Sequence, residues 1–116
     1  MNICFEGIGE VVATFRVEDG TELNAGQAVA LVGSGEVGMG SEGDALCGVV
    51  VNAEEDGCAA VQVDGMCKVG FVGTAPAIGW TGIAVDGTGK IKAAEGGMKC
   101  MVAMVDAEAG TAIIKL

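Results

Sequence analysis

The sequence predicts an all-β protein, a small barrel or sandwich of about nine to ten short strands. Three observations lead to this prediction. Glycine occurs 21 times among 116 residues and proline once, and each interior glycine costs a helix about 1 kcal/mol relative to alanine. Short apolar runs alternate with glycine-containing turns along most of the chain. Finally, residues 26–63 and 79–116 show the same succession of runs and turns.

The internal repeat predicts two similar, hairpin-rich halves within a single domain, residues 1–116. The halves are residues 11–63 and 67–116, joined near Asp64 and Gly65. Matching positions lie 53 residues apart, with one-residue slips inside two turns. The aligned pairs are Gly26 with Gly79, Val32 with Val85, Cys47 with Cys100, Gly57 with Gly110, and Val63 with Leu116.

The first predicted strand is residues 11–17, where apolar and polar side chains alternate with the period of a half-buried strand. The residues before it, 1–10, include Cys4, Phe5 and Ile8 and form either an arm or an edge strand. Further strands are predicted at residues 28–32, 47–51, 60–63, 66–71, 80–85, 90–93, 101–105 and 112–116.

Two kinds of turn recur between these strands. Asp64-Gly65 and Asp86-Gly87 each follow an apolar strand, and Asp-Gly suits the positive φ angles of tight hairpins. Residues 52–57 and 106–110 form an equivalent longer turn in each half. Hairpins at this spacing close most naturally into a barrel or a sandwich.

Charge and hydropathy limit the partners. The formal net charge is −10, without histidine, so nucleic-acid binding and anionic membranes are disfavoured, since both need clustered cations. Apolar runs such as residues 47–51 are too short to span a bilayer, and residues 1–10 do not resemble a signal segment. We therefore expect a soluble protein made in the cytoplasm.

The five cysteines are Cys4, Cys47, Cys58, Cys67 and Cys100. Their number is odd, no pair has C-x-x-C spacing, and the chain offers no histidine to complete a zinc site. We expect small buried apolar side chains in a reducing compartment rather than disulfides or metal ligands.

Gly33-Ser-Gly-Glu-Val-Gly38 matches the dinucleotide fingerprint and follows an apolar strand. That fingerprint requires a helix to open at the glycines. Gly40 and Gly43 follow instead, and the matching segment of the second half, residues 86–94, has the pattern of a hairpin. Nucleotide binding is therefore not predicted.

Two further motifs are weak for similar reasons. Residues 97–101 (Gly-Met-Lys-Cys-Met) resemble the hairpin on which biotin or lipoate is carried, but the strands expected around Lys99 are out of order. A solvated lysine at the start of a strand explains it better. Residues 52–57 resemble half of a calcium loop, yet position twelve would be Val63 instead of a bidentate glutamate. A solvated acidic turn is the better interpretation.

No set of catalytic residues is apparent. Without histidine or tyrosine the commonest acid-base groups are missing, and cysteines in an acidic, apolar setting are poor nucleophiles. We predict no catalytic, cofactor-binding or metal-binding residues, and a protein that is not an enzyme.

Three stretches together resemble a known family. They are residues 46–63 (LCGVVVNAEEDGCAAVQV), residues 64–69 (DGMCKV) and residues 77–91 (AIGWTGIAVDGTGKI), and the C-terminal run 101–116 fits the same pattern. The order of these glycine- and valine-rich strands is similar to that of the capsid cement, or head decoration, proteins of tailed bacteriophages, including those encoded by prophages. The resemblance extends from about Val11 to the C-terminus.

The resemblance implies a non-enzymatic structural protein that binds the outside of an assembled phage or prophage head, and so a location on the virion surface. Its partners would be the major capsid protein and other copies of itself, often in a homotrimer. The alternative is a small β-barrel carrier or ligand-binding module. A cell-surface adhesion module is a third hypothesis, weakened by the free cysteines.

Overall fold

The computed structural model describes residues 8–54 and 56–116, which form ten β-strands and no helix. The all-β prediction is therefore confirmed. The first five strands are β1 (Val11–Val17), β2 (Ala28–Gly33), β3 (Glu36–Gly38), β4 (Gly48–Ala53) and β5 (Cys58–Asp64). The second five are β6 (Met66–Gly70), β7 (Gly79–Val85), β8 (Ile91–Ala93), β9 (Met98–Asp106) and β10 (Thr111–Lys115). No helix in these ranges could cross a membrane.

We call residues 11–64 the first unit and residues 66–116 the second unit. The first unit is a closed barrel with the strand order β1-β3-β2-β4-β5, in which β5 pairs with β1. All its pairings are antiparallel except β1 with β3, where Val17 lies beside Val37. In β1, Ala13, Phe15 and Val17 are the more buried side chains, as the alternating pattern predicts.

The second unit repeats this arrangement strand for strand. Its sheet has the order β8-β7-β9-β10-β6, which is the cyclic order of the first barrel with each strand number raised by five, opened between β6 and β8. Even the parallel closure recurs, as a single bridge between Phe71 and Ile91. The backbone agrees in detail, because Val17 donates to the carbonyl of Gly57 as Phe71 donates to that of Gly110.

The strand register corrects the predicted alignment at more than one place. Val85 matches Leu31 rather than Val32, since Val85 pairs with Ile91 as Leu31 pairs with Val37. The β4–β5 ladder skips Val51, and the β9–β10 ladder skips Ala103. These two bulges are equivalent and lie 52 residues apart. Gly48, rather than Cys47, therefore occupies the position of Cys100.

Two apolar clusters form the core. The smaller fills the first barrel and includes Val29, Val37 and Val61. The larger fills the second unit around Ile83, Ile91 and Ile114, and it also takes in side chains from the first unit. These contributed side chains are Ala28, Ala30, Leu46 and Val49. The second core is thus completed by the first unit.

Gly65 joins the two units. Its φ is +93°, and a Cβ there would come within 2.6 Å of the Gly9 backbone, so only glycine fits. Asp64-Gly65 does not form the predicted hairpin, because β5 and β6 belong to different sheets. The N-terminal arm or edge strand lies largely outside the described residues, although the carbonyl of Ile8 accepts a hydrogen bond from Met66.

Candidate interaction surface

The glycine fingerprint of residues 33–38 contains a hairpin. β2 ends at Gly33 and β3 begins at Glu36, a strand that the sequence pattern did not predict. Gly35 has a φ of +66° at the turn. The carboxylate of Glu36 accepts a hydrogen bond from Arg16 Nε at 3.2 Å, between neighbouring strands. These glycines serve a strand reversal, and no helix N-terminus is present there to receive a phosphate.

Lys99 is the second residue of β9 and is exposed. The turn before it is closed by a hydrogen bond from Gly97 to the carbonyl of Ala94. Lys99 therefore lies within a nine-residue strand beyond that turn, as expected for a solvated strand lysine.

The acidic turn at residues 52–57 connects β4 and β5 as predicted. Asp56 accepts a hydrogen bond from the amide of Cys58 at 3.2 Å, and Glu54 donates its amide to the Cys58 carbonyl. Within residues 8–54 and 56–116, no group of three or more acidic, cysteine or histidine side chains could hold a metal ion.

The cysteines divide into two classes. Cys67 and Cys100 are buried in the core of the second unit, as predicted. Cys47 and Cys58 are only partly buried, so the prediction that they are buried is wrong, and Cys4 lies outside the described residues. Burial raises the pKa of the Cys47 thiol. Desolvation, followed by the carboxylates of Asp56 and Glu54, raises the pKa of the Cys58 thiol. Both thiols are therefore weak nucleophiles at neutral pH.

An open cleft lies where the two units meet, lined by Glu42, Asp86, Thr88 and Lys92. Its charged groups are already paired. Lys92 Nζ donates to Glu42 Oε1 at 2.8 Å, across the unit boundary. Partial burial works against the charge on Asp86, but hydrogen bonds from Thr88 and the Lys90 amide outweigh it and lower the Asp86 pKa. These hydrogen bonds stabilise the turn after β7, and the ion pair stabilises the contact between the two units.

The outer face of the second sheet differs from these sites, because its large apolar side chains are exposed or only half-buried. Met101 on β9 lies between Trp80 on β7 and Lys115 on β10. Cross-strand neighbours share one face of a sheet. We call Trp80, Met101 and Lys115 the tryptophan row. Trp80, which is the only tryptophan of the chain, is 64% exposed.

A second row lies beside the tryptophan row on the same face. Ile113 on β10 lies between Lys68 on β6 and Met104 on β9, and Met104 is 39% exposed. Lys99 lies opposite Gly82, two register positions beyond the tryptophan row and therefore on the same face. The face therefore combines four large apolar side chains with three lysines.

The two units carry opposite charge. The first unit has ten acidic residues and one cation, Arg16, a net formal charge of −9. The second has four acidic residues and five lysines, a net charge of +1. The apolar, lysine-bearing face is thus the part of this acidic chain best suited to an acidic protein surface. Sequence reasoning missed it, because only the sheet register brings Trp80, Met101 and Lys115 together.

Comparison with known proteins adds no relative: no protein-family model matches the chain, and no curated protein matches it.

Proposed function

We propose that this protein is a non-enzymatic structural protein that decorates and stabilises the capsid of a phage or prophage by binding the outer shell. Its partner is then the major capsid protein, and it acts on the virion surface after synthesis in the bacterial cytoplasm. The homotrimer implied by the family resemblance belongs to the same proposal.

The observation that supports the proposal is the open face of the second sheet. Isolated exposed apolar residues are ordinary on proteins, but here Trp80, Met101, Met104 and Ile113 are neighbours on adjacent strands. Contiguous apolar surface rimmed by charge is typical of a protein interface. The glycine-rich turns and the paired polar groups described above have structural explanations, which the grouping of these four side chains lacks.

Stabilisation follows from mass action. A protein that binds the assembled shell and not the free subunits lowers the free energy of the shell relative to disassembly. The net charge of −10 also keeps such a protein from binding the nucleic acid released by damaged heads, because phosphates repel carboxylates.

Co-sedimentation tests the proposal. The purified protein is mixed with expanded cognate capsids and pelleted over a range of concentrations. We expect saturable binding and a higher temperature of capsid disruption. Met104→Glu, which places a carboxylate on the open face, should weaken binding by about tenfold or more. Val51→Glu is the matched control, since Val51 is comparably exposed, at 41%, but lies on the first unit.

Absence of saturable binding would contradict the proposal. The carrier alternative has its own measurement, the mass of the protein after co-expression with a biotin or lipoate ligase. An added cofactor mass on Lys99 would favour that alternative over capsid decoration.

A further inference from the structure

The tryptophan row has an exact counterpart in the first unit. There Val49 on β4 lies between Ala28 on β2 and Gln62 on β5. Counted from the equivalent bulges at Val51 and Ala103, Val49 matches Met101. The two rows therefore occupy the same place on the same face of equivalent sheets.

The counterpart row is covered by the second unit. Ala28 is 0% exposed, Val49 4% and Gln62 5%. Ala28 and Val49 belong to the core cluster of the second unit, and the amide of Ala28 donates to the carbonyl of Gly89 at 2.8 Å. In the first unit, this row and residues 42–46 together form the surface that binds the second unit.

The receiving side of this contact also has an open counterpart. In the second unit, Val85 is fully buried in the larger core cluster, and its backbone exchanges hydrogen bonds with residues 43 and 44 of the first unit. The first-unit equivalent of Val85 is Leu31, since Val85 pairs with Ile91 as Leu31 pairs with Val37. Leu31 is 58% exposed.

Each copy of the chain thus exposes an equivalent of each side of the contact that joins its two units. The second unit presents the tryptophan row, and the first unit presents Leu31. Charge also fits, because Lys99 lies near the row, although Lys115 already pairs with Asp64 at 3.6 Å, and Leu31 shares a surface depression with Asp44 on the unit of net charge −9.

We propose that a second copy of this chain occupies the tryptophan row: the row of one copy docks on the Leu31 surface of the next, repeating between molecules the contact that joins the two units within one. Such a contact is heterologous, so successive copies close into a ring or extend as a filament. This inference assigns the tryptophan row to a second copy and leaves the neighbouring row of Lys68, Ile113 and Met104 to the capsid.

Trp80 reports the contact directly because it is the only tryptophan. In sedimentation velocity from about 1 µM to about 1 mM, a range that spans the ordinary affinities of modest interfaces, we expect the wild type to assemble with increasing concentration. The tryptophan emission should move to shorter wavelength over the same range, as the exposed ring loses water. A strict monomer with constant emission at all concentrations would overturn the proposal.

Two variants determine the polarity of the contact. Trp80→Glu removes the row but keeps the Leu31 surface, and Leu31→Glu does the reverse. Each replaces an exposed side chain, so folding should be retained, and circular dichroism checks this. Each alone should weaken self-association by about tenfold or more. Val51→Glu is the control and should assemble like the wild type.

The decisive measurement is the 1:1 mixture of the two variants. A head-to-tail contact requires one intact row and one intact Leu31 surface, so the mixture should form a dimer and stop there. Only the Leu31→Glu copy then carries tryptophan, and its emission should shift when the Trp80→Glu copy is added. If Leu31→Glu assembles normally, the contact joins two identical faces and the proposal is wrong.

The last measurement is the tryptophan emission of the wild type with and without expanded capsids. If the emission of the wild type shifts only when expanded capsids are added, the shell protein occupies the row, and a second copy does not. That outcome overturns this inference and leaves the proposed capsid function intact. Self-association without capsid binding would support this inference and contradict the proposed capsid function.

Discussion

The first and second units have one backbone plan and two different surfaces. Both have the same cyclic strand order and the same bulge, but the parallel ladder that closes the first barrel is reduced to a single bridge in the second unit. Their equivalent rows differ in environment, since Val49 is buried while its counterpart Met101 is only half-buried and its neighbour Trp80 is 64% exposed. Their net charges are −9 and +1. Turns and apolar periodicity therefore specify the fold, and outward side chains are free to specify the partner.

The units also differ in how their cores are completed. The first is a closed barrel whose cluster is its own. The second needs Leu46 and three other side chains of the first unit. The second unit is thus the dependent member of the pair, and the predictions below test that dependence and the differences between equivalent positions.

The largest effects are expected at Leu46 and at Gly48, the counterpart of Cys100. A Cβ on Gly48 would overlap the carbonyl oxygen of Gln62 on the neighbouring strand. Backbone cannot move as a side chain can, so Gly48→Ala should destabilise the protein by about 3 kcal/mol, measured by urea unfolding. Gly33→Ala is the control, because its nearest contact is the flexible Glu36 carboxylate at 3.3 Å. Equal losses for both variants would contradict the steric explanation.

Leu46→Ala tests whether the units fold together. Leu46 is 4% exposed and packs in the core of the second unit, so truncation should cost about 2–5 kcal/mol. Trp80 emission, which reports the second unit, and far-ultraviolet circular dichroism should show one common, shifted transition. Leu31→Ala should change stability by less than about 0.5 kcal/mol. Two separate transitions would mean that the units are independent.

Asp86→Ala should cost about 1–2 kcal/mol, because the carboxylate accepts hydrogen bonds from the backbone amides of Thr88 and Lys90. Its folded-state pKa is lowered, so the ionised form stabilises the fold above the unfolded pKa of about 3.9. This contribution is lost as pH falls through the folded pKa.

The cost of Asp86→Ala should therefore be full at pH 7 and shrink in acid, as thermal unfolding between about pH 2 and pH 7 can measure. Asp106→Ala is the control. Asp106 accepts a hydrogen bond from the Ala109 amide, so we expect about half the loss at neutral pH. A cost for Asp86→Ala that is independent of pH would exclude the carboxylate as its source.

The smallest effect is expected for Lys92→Ala. Its 2.8 Å ion pair with Glu42 crosses the unit boundary, but the Glu42 side chain is 70% exposed. Exposed pairs contribute about 0–1 kcal/mol, and 1 M NaCl should reduce the difference further. Lys68→Ala, an exposed lysine on β6, is the control. A loss above about 2 kcal/mol would show that the pair holds the units together.

Much of the fold could be predicted because it depends on local signals. Alternation placed β1 at residues 11–17, and Asp86-Gly87 marked the hairpin between β7 and β8. The three-residue strand β3 was missed because its neighbouring glycines mask so short a run. The Asp64-Gly65 turn was misassigned, since the same dipeptide can end a hairpin or carry the chain into another sheet.

The interaction surface could not be predicted for a different reason. Trp80, Met101 and Lys115 are separated by up to 35 positions in the sequence, and only the register of three strands aligns them. The charge difference between the units can be counted from the sequence. It can be assigned to particular surfaces only when the register shows which rows of the two units are equivalent. Long-range pairing is the information that local patterns lack.

The pairing of first and last strands also explains how such a molecule could arise. In each unit the opening residue lies beside the closing one: Val11 is opposite Asp64, and Met66 is opposite Lys115. The amide of Leu116 even returns to the carbonyl of Gly65. A gene for one unit could be copied in tandem with a single glycine as the join, because the end of one copy already lies where the next must start.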